Sequence, residues 1–254
     1  MVSLNLEFLS SSPKFLKVLL RHRIFTIFWV TYVNLRSLLQ QKEFYGQLYE
    51  DREISKWIPE AEGTYIDIGA GYPIRGSNSY YFYQKGWSGI AVEPILTNCI
   101  AFKFFRPRDE VIHSLMGLLS KPVTFFHIEP YEYSTTKLEI ATEMLKKPGA
   151  RLMKKTFHKQ IRLDSLEVTL KPEQPSFISI DVEGSDLEVL KSNDWNRIRP
   201  RIICVEEWAD KFNKEDNVQK YLENQGYVLV GNVSPSLIFA EKEWMKKVKN
   251  EDYN

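Results

Sequence analysis

Cysteine is scarce in this chain. Cys99 and Cys204 are far apart among 254 residues and sit in apolar stretches. No zinc spacing can be built from them, and they read as reduced, buried thiols of a cytosolic protein. Net charge is nearly absent as well. At +1, no global field favours nucleic acid or acidic substrates. The uncharged stretch from Ile24 to Asn34 falls short of the roughly 20 apolar residues that cross a bilayer. No small-residue cleavage site follows it, which argues against a signal peptide. Repeats, low-complexity tracts and Gly/Ser linkers are missing too. The remainder, 43% hydrophobic and 26% charged, is ordinary globular composition. The length suits one large α/β domain with an added terminal segment, and it can bury a substantial core without staples.

The added segment is N-terminal. Ile24, Phe28, Tyr32, Leu35 and Leu39 recur at helical spacing and predict an amphipathic helix, with Lys14, Lys17, Arg21 and Arg23 ahead of most of it. Such a helix packs on its own domain, packs on a second subunit to give a homodimer, or lies in a membrane interface through residues 14–39. The last reading makes the protein peripheral at the inner membrane surface.

From residue 61 onward strands and helices alternate. "TYIDIGA", "GIAVEP", "SFISIDVEG" and "RIICVEEW" are β-branched or aromatic runs that read as buried strands. "EVIHSLMG" and "VTFFHIE" are further strand candidates. "YYFYQKGWS", "NCIAFKFF", "SDLEVLKSNDW" (with Ser185 as N-cap) and "DNVQKYLENQG" read as helices. "YVLVGNV" and "SLIFAEK" follow in direct succession as an antiparallel pair. The segment from Lys137 to Gln160 has weak periodicity and a Pro-Gly break; an insertion over the site is one reading of it. Strands separated by helix-length segments imply parallel pairing through right-handed crossovers. The expected organisation is a helical extension over 1–60 and an α/β domain over 61–254.

In open α/β sheets ligands bind outside the carboxyl ends of the strands. "YIDIGAGYP" puts Asp67, Gly69, Ala70 and Gly71 at such an end. The glycines let the backbone approach a ligand, and a helix N-terminus after the turn offers free N–H groups. The dinucleotide fingerprint G-x-G-x-x-G is not met. In "GAGYPIRG" the third glycine is displaced by two residues, and Pro73 removes an amide. The next strand ends on Glu93, 22 residues beyond Gly71, where an acid accepts hydrogen bonds from ribose hydroxyls. Asp67 would repel a pyrophosphate but suits a ligand with an amino group and a sulfonium. The pair Asp67 and Glu93 therefore favours S-adenosyl-L-methionine over NAD.

"YIDIGAGYP…SNS…GWSGIAVEP", then "SFISIDVEGSDLEVLKSNDW" and "RPRIICVEE", resembles the FkbM-type methyltransferases, from about Gly63 to about Glu207. The resemblance implies a Rossmann-like class I methyltransferase fold: α/β, a mostly parallel seven-stranded sheet with an antiparallel end strand. It also implies an S-adenosylmethionine-dependent O-methyltransferase acting on a hydroxyl of a sugar, glycoconjugate or natural-product precursor. Small-molecule, sugar-nucleotide or glycan acceptors all fit, as in polysaccharide biosynthesis. By position, Asp67, Gly69 and Gly71 would line the donor's methionine part and Glu93 its ribose. Ser77 and Asn78 stand where polar residues follow the glycine turn, and Ser114 would border the adenine. Asp181 and Glu183 would lie beside the transferred methyl.

A sugar hydroxyl is a poor nucleophile, so a base or a metal usually assists. Asp181 could take the hydroxyl proton. Alternatively Asp181, Glu183 and Glu206 or Glu207 could hold a hard divalent cation such as magnesium through oxygen ligands. No histidine adjoins these acids in sequence, and His158 is a candidate base from a neighbouring segment. Tyr131, Tyr133, Lys146, Lys147, Lys154 and Lys155 suggest stacking on a sugar and a hold on phosphate. Two rival readings remain: a nicotinamide-dependent oxidoreductase on a similar sheet, and a decayed, non-catalytic module that binds a membrane or partner.

Overall fold

The structure is a computed structural model that describes residues 14–118, 121–166, 175–207 and 217–251, with the side chains of 14–25 and 249–251 excepted. Its centre is a seven-stranded sheet. In chain order its strands are β1 (Thr64–Ile68), β2 (Ser88–Val92), β3 (Glu110–Ile112), β8 (Phe177–Ile180), β9 (Ile202–Glu206), β10 (Tyr227–Val233) and β11 (Ser236–Glu241). In space they run β10-β11-β9-β8-β1-β2-β3. The central pairs are parallel, while β11 runs antiparallel to both β9 and β10. The last strand in the chain is thus the reversed one, inserted one place in from the edge.

Period-two alternation explains why these runs are strands. Ile66 and Ile68 face one core with Ile178, Ile180, Ile203 and Val205. Tyr65 faces the other with Phe177, Ile202, Cys204 and Ile238. A sheet covered on both faces needs continuous apolar runs, and β1 is buried throughout. Cys99 and Cys204 are both free and buried.

The helices are α1 (Lys14–Leu39), α2 (Glu50–Ser55), α3 (Tyr80–Gln84), α4 (Leu96–Phe105), α5 (Leu138–Met144), α6 (Asp186–Lys191), α7 (Val218–Asn224) and α8 (Lys242–Glu251). The segment from Val123 to His158 makes an antiparallel ribbon, β5 (Val123–Glu129) with β6 (Arg151–His158), with α5 between. Two short strands, β4 (Leu115–Met116) and β7 (Gln160–Ile161), pair in parallel. At the start of α6 the expected Ser185 cap does not form. Asp186 instead accepts the amides of Val182 at 3.1 Å and Gly184 at 3.0 Å, while Ser185 Oγ meets Thr136 Oγ1.

α1 departs from the usual amphipathic arrangement. Val30 and Val33 pack against Tyr72 and Ala101, and buried Asn34 and Ser37 complete that inner face. Ile24 of the predicted stripe lies outside the described side chains, and the rest faces away: Phe28 is 70% and Leu39 83% exposed, with Tyr32 and Leu35 exposed between them. Periodicity shows that a stripe exists but not which side it takes.

Candidate active site

Two adjoining cavities open at the carboxyl ends of the central strands. The first has about 820 Å³ of open space and the second about 790 Å³, both continuous with solvent. Gln47, Gly76, Glu132, Asp181 and Glu183 line both.

The floor of the first cavity is the glycine turn after β1. Gly69 and Ala70 donate their amides to the Val92 carbonyl at 2.9 and 3.3 Å, which pins the turn to the end of β2. Gly69 has φ +74°, and a Cβ there would lie 1.8 Å from the carbonyl oxygen of Asp181. Only glycine lets the ends of β1 and β8 approach this closely. Glu93 lines the same cavity with little exposure; Oε2 accepts the Gly71 amide at 2.8 Å and Oε1 the Ile95 amide at 2.7 Å. Burial pushes its carboxyl up to about 8, and the bonds from Ile95, Gly71 and Asn98 only partly offset that. Ser114 lines this cavity, and Tyr131 closes it with its ring 4.3 Å from that of Tyr72.

The second cavity is acidic. One carboxylate oxygen from each of Asp181, Glu183 and Glu206 lies within 4.8 Å of the others. Burial, then repulsion from Glu206, holds the Asp181 carboxyl well above its usual range. Burial, then the charges of Asp181 and Glu206, pushes Glu183 up to about 10. Glu183 also adopts φ +53°, a left-handed conformation uncommon outside glycine. Asn78 lines this cavity. Its Nδ2 donates to Ser179 Oγ at 3.2 Å, and its Oδ1 is buried without a partner. Tyr133 and Lys147 complete the wall, with the Lys147 ammonium 4.4 Å from the Tyr133 ring centre.

Gly69, Ala70, Gly71, Glu93, Ser114, Asp181 and Glu183 therefore gather around the first cavity, and Asn78 and Glu206 around the second. Of the expected catalytic and donor-binding residues, three do not line either. Asp67 points to the opposite side of β1 from Ile66 and Ile68, where it accepts a hydrogen bond from Ser79. Ser77 is buried, and its hydroxyl accepts from Arg106 at 3.1 Å. His158 sits at the end of β6, bonded to Thr156 Oγ1 at 2.7 Å. Lys154 and Lys155 lie on the exposed part of β6 and line neither cavity. Gln47, Glu50 and Glu132 escaped the sequence reading, because they stand alone in the extension and on the turn after β5, with no motif around them.

The described residues include no helix long and apolar enough to cross a membrane. No curated protein matches the chain. Among solved structures, a Burkholderia thailandensis 1,6-didemethyltoxoflavin-N1-methyltransferase, solved with 1,6-didemethyltoxoflavin and S-adenosylhomocysteine, is similar at 9% identity and TM-score 0.40, over 91% of each chain. A Methanococcus maripaludis structure described as an S-adenosyl-L-methionine-dependent methyltransferase is similar at 14% identity and TM-score 0.38, over 84% of this chain and 93% of that one. At that distance neither likeness carries an argument about this site. The methyltransferase FkbM domain model matches residues 67–229. That span holds the glycine turn, Glu93, the Asp181–Gly184 turn and Glu206, and it sets aside the nicotinamide alternative: the chain belongs to the FkbM methyltransferase family.

Proposed function

We propose that this S-adenosylmethionine-dependent methyltransferase transfers its methyl group to a hydroxyl of a sugar or glycoconjugate precursor. The observation that carries the reading is the wall shared by the two cavities: Asp181 and Glu183 line both. The first cavity suits the donor, with glycine backbone at its floor and a strand-end carboxylate for ribose hydroxyls. The cofactor brings an activated methyl group when bound. What remains for the protein is to align the acceptor oxygen and exclude water, and alignment alone contributes on the order of 7–11 kcal/mol. The second cavity offers the Tyr133 ring for a sugar face and carboxylates for hydroxyl groups. Asp181, at the border, would accept the hydroxyl proton in its ionised form, which positive charge beside it favours.

A divalent cation fits the same residues. The neighbouring carboxylates raise the proton affinity of Asp181 and Glu183, and positive charge among them removes that penalty. Asp181, Glu183 and Glu206 would supply the hard oxygen ligands, and Asn78 lines the same cavity. The 1–60 extension enters this reading through Gln47 and Glu50, which line the site.

The test is methyl transfer from labelled S-adenosylmethionine to a panel of sugar nucleotides and glycans, with mass spectrometry locating the methyl on oxygen or nitrogen. Oxygen methylation that Asp181→Asn abolishes supports the proposal. Label only on nitrogen overturns it. Binding of Mn²⁺, followed by electron paramagnetic resonance and lost in Glu183→Gln, checks the cation separately.

A further inference from the structure

We propose that α1 and α4 form a docking surface for an anionic lipid bilayer. The inner face of α1 is filled by the protein itself, so the outward stripe of Phe28, Tyr32, Leu35 and Leu39 is left over from folding. Trp29 is about half exposed beside it, its ring 5.9 Å from that of Tyr32. α4 lies against α1 through Ala101, and it exposes Leu96, Ile100 and Phe104, one turn apart. Isolated exposed apolar residues need no explanation, but two neighbouring helices that both turn apolar stripes outward mark an interaction surface.

Charge selects the occupant. α1 contains five cations, Lys14, Lys17, Arg21, Arg23 and Arg36, and no acid; α4 contains Lys103 and no acid. Four of the five cations of α1 precede Phe28 in the sequence, ahead of its exposed apolar part. The chain as a whole is balanced at +1, so this segregation is local. A second copy of the chain would bring like charges together across the patch. A bilayer with anionic headgroups takes both components: aromatics at the headgroup boundary and cations against the phosphates. The helix would lie on the surface, since α1 is not apolar enough to span.

The surface adjoins the site. Val30 and Val33 pack on Tyr72, and Ile95, just ahead of α4, lines the first cavity. Docking there would bring the cavities close to acceptors carried on lipid.

The full chain should sediment with vesicles of phosphatidylcholine plus phosphatidylglycerol and stay in solution with phosphatidylcholine alone. The triple variant Phe28→Glu/Tyr32→Glu/Leu35→Glu changes only exposed positions and should keep the wild-type melting temperature while partitioning at least about tenfold less. Phe104→Asn with Leu39→Asn repeats the test if the triple variant melts early. Wild-type protein that ignores phosphatidylglycerol overturns the proposal. So does binding that survives both sets of substitutions, or a wild-type dimer that the triple variant splits.

Discussion

Arg106 Nε donates to Asp109 Oδ2 at 2.6 Å, and neither side chain has solvent access. The same guanidinium reaches the Pro73 carbonyl at 3.2 Å, Tyr65 Oη at 2.8 Å and Ser79 Oγ at 3.0 Å. Ser79 passes a hydrogen bond on to Asp67. One buried cation thus ties the segment after the glycine turn to β1 and to the loop before β3. Arg106→Ala takes the cation from buried Asp109, leaving it only the Tyr65 hydroxyl and the Gly89 amide, and breaking a buried pair this way costs about 3–5 kcal/mol. The melting temperature should fall by roughly 10 °C, and Arg106→Ala/Asp109→Ala should recover part of the loss. A calorimetric melt of the three proteins decides it.

Gly69→Ala should be worse than its size suggests. The added methyl meets the Asp181 carbonyl at 1.8 Å in a backbone conformation with φ +74°. Either β1 and β8 move apart or the turn distorts, and both displace the Gly71 amide that Glu93 receives. We expect donor affinity, measured by isothermal titration with S-adenosylhomocysteine, to fall at least about a hundredfold. That is about 2.7 kcal/mol, in the range of strained or overpacked sites. A binding constant near wild type would remove Gly69 from the floor of the site.

How much of this was legible before the structure depended on the kind of signal. β1, β2, β8 and β9 are buried runs of branched and aromatic residues, and each declared itself. Glu93 and Asp181 were readable because each directly follows a strand, and Glu183 because it stands in the turn two residues past Asp181. Glu206 was readable because it ends a strand, and the sheet order then brings it to Asp181 and Glu183. Asp67 shows the limit. Strand alternation places it with Tyr65 on the face opposite Ile66, but a strand-end acid also looks like a ligand-binding one. β6 was opaque, because "RLMKKTFH" is mostly exposed and carries no period of burial. Gln47 and Glu50 reach the site only through tertiary packing, which no local pattern encodes.

Asn34 joins α1 to the segment after the glycine turn. Its Oδ1 accepts the amide of Ile74 at 3.0 Å and that of Arg75 at 3.4 Å, while Nδ2 donates to the Val30 carbonyl. Asn34→Ala leaves a buried amide without a partner, at about 1–3 kcal/mol. Because that amide lies just past the glycine turn, KM for the donor should rise several-fold with kcat little changed. Steady-state kinetics show whether the effect is confined to the donor; a fall in kcat alone would detach α1 from the donor site.

Glu93 predicts a proton released when the donor binds. Its carboxyl, ordinarily near 4.5, sits at about 8 in the empty fold, chiefly through burial and with a smaller push from the charge of Asp67. The folded state therefore binds this proton more tightly than the unfolded chain does. The sign follows: the contribution to stability is complete below about 4.5 and is lost as pH rises through about 8, on the order of a few kcal/mol across that window. A carboxylate that accepts from ribose hydroxyls beside a sulfonium is stabilised in its charged form. Donor binding then expels the proton, and affinity should climb with pH up to about 8 by as much as about tenfold per unit, then level off. Glu93→Gln should bind weakly at every pH, with that slope gone. Titrations in two buffers of different ionisation enthalpy count the proton directly. A wild-type count near zero at neutral pH, or an unchanged slope in Glu93→Gln, would remove Glu93 from the ribose.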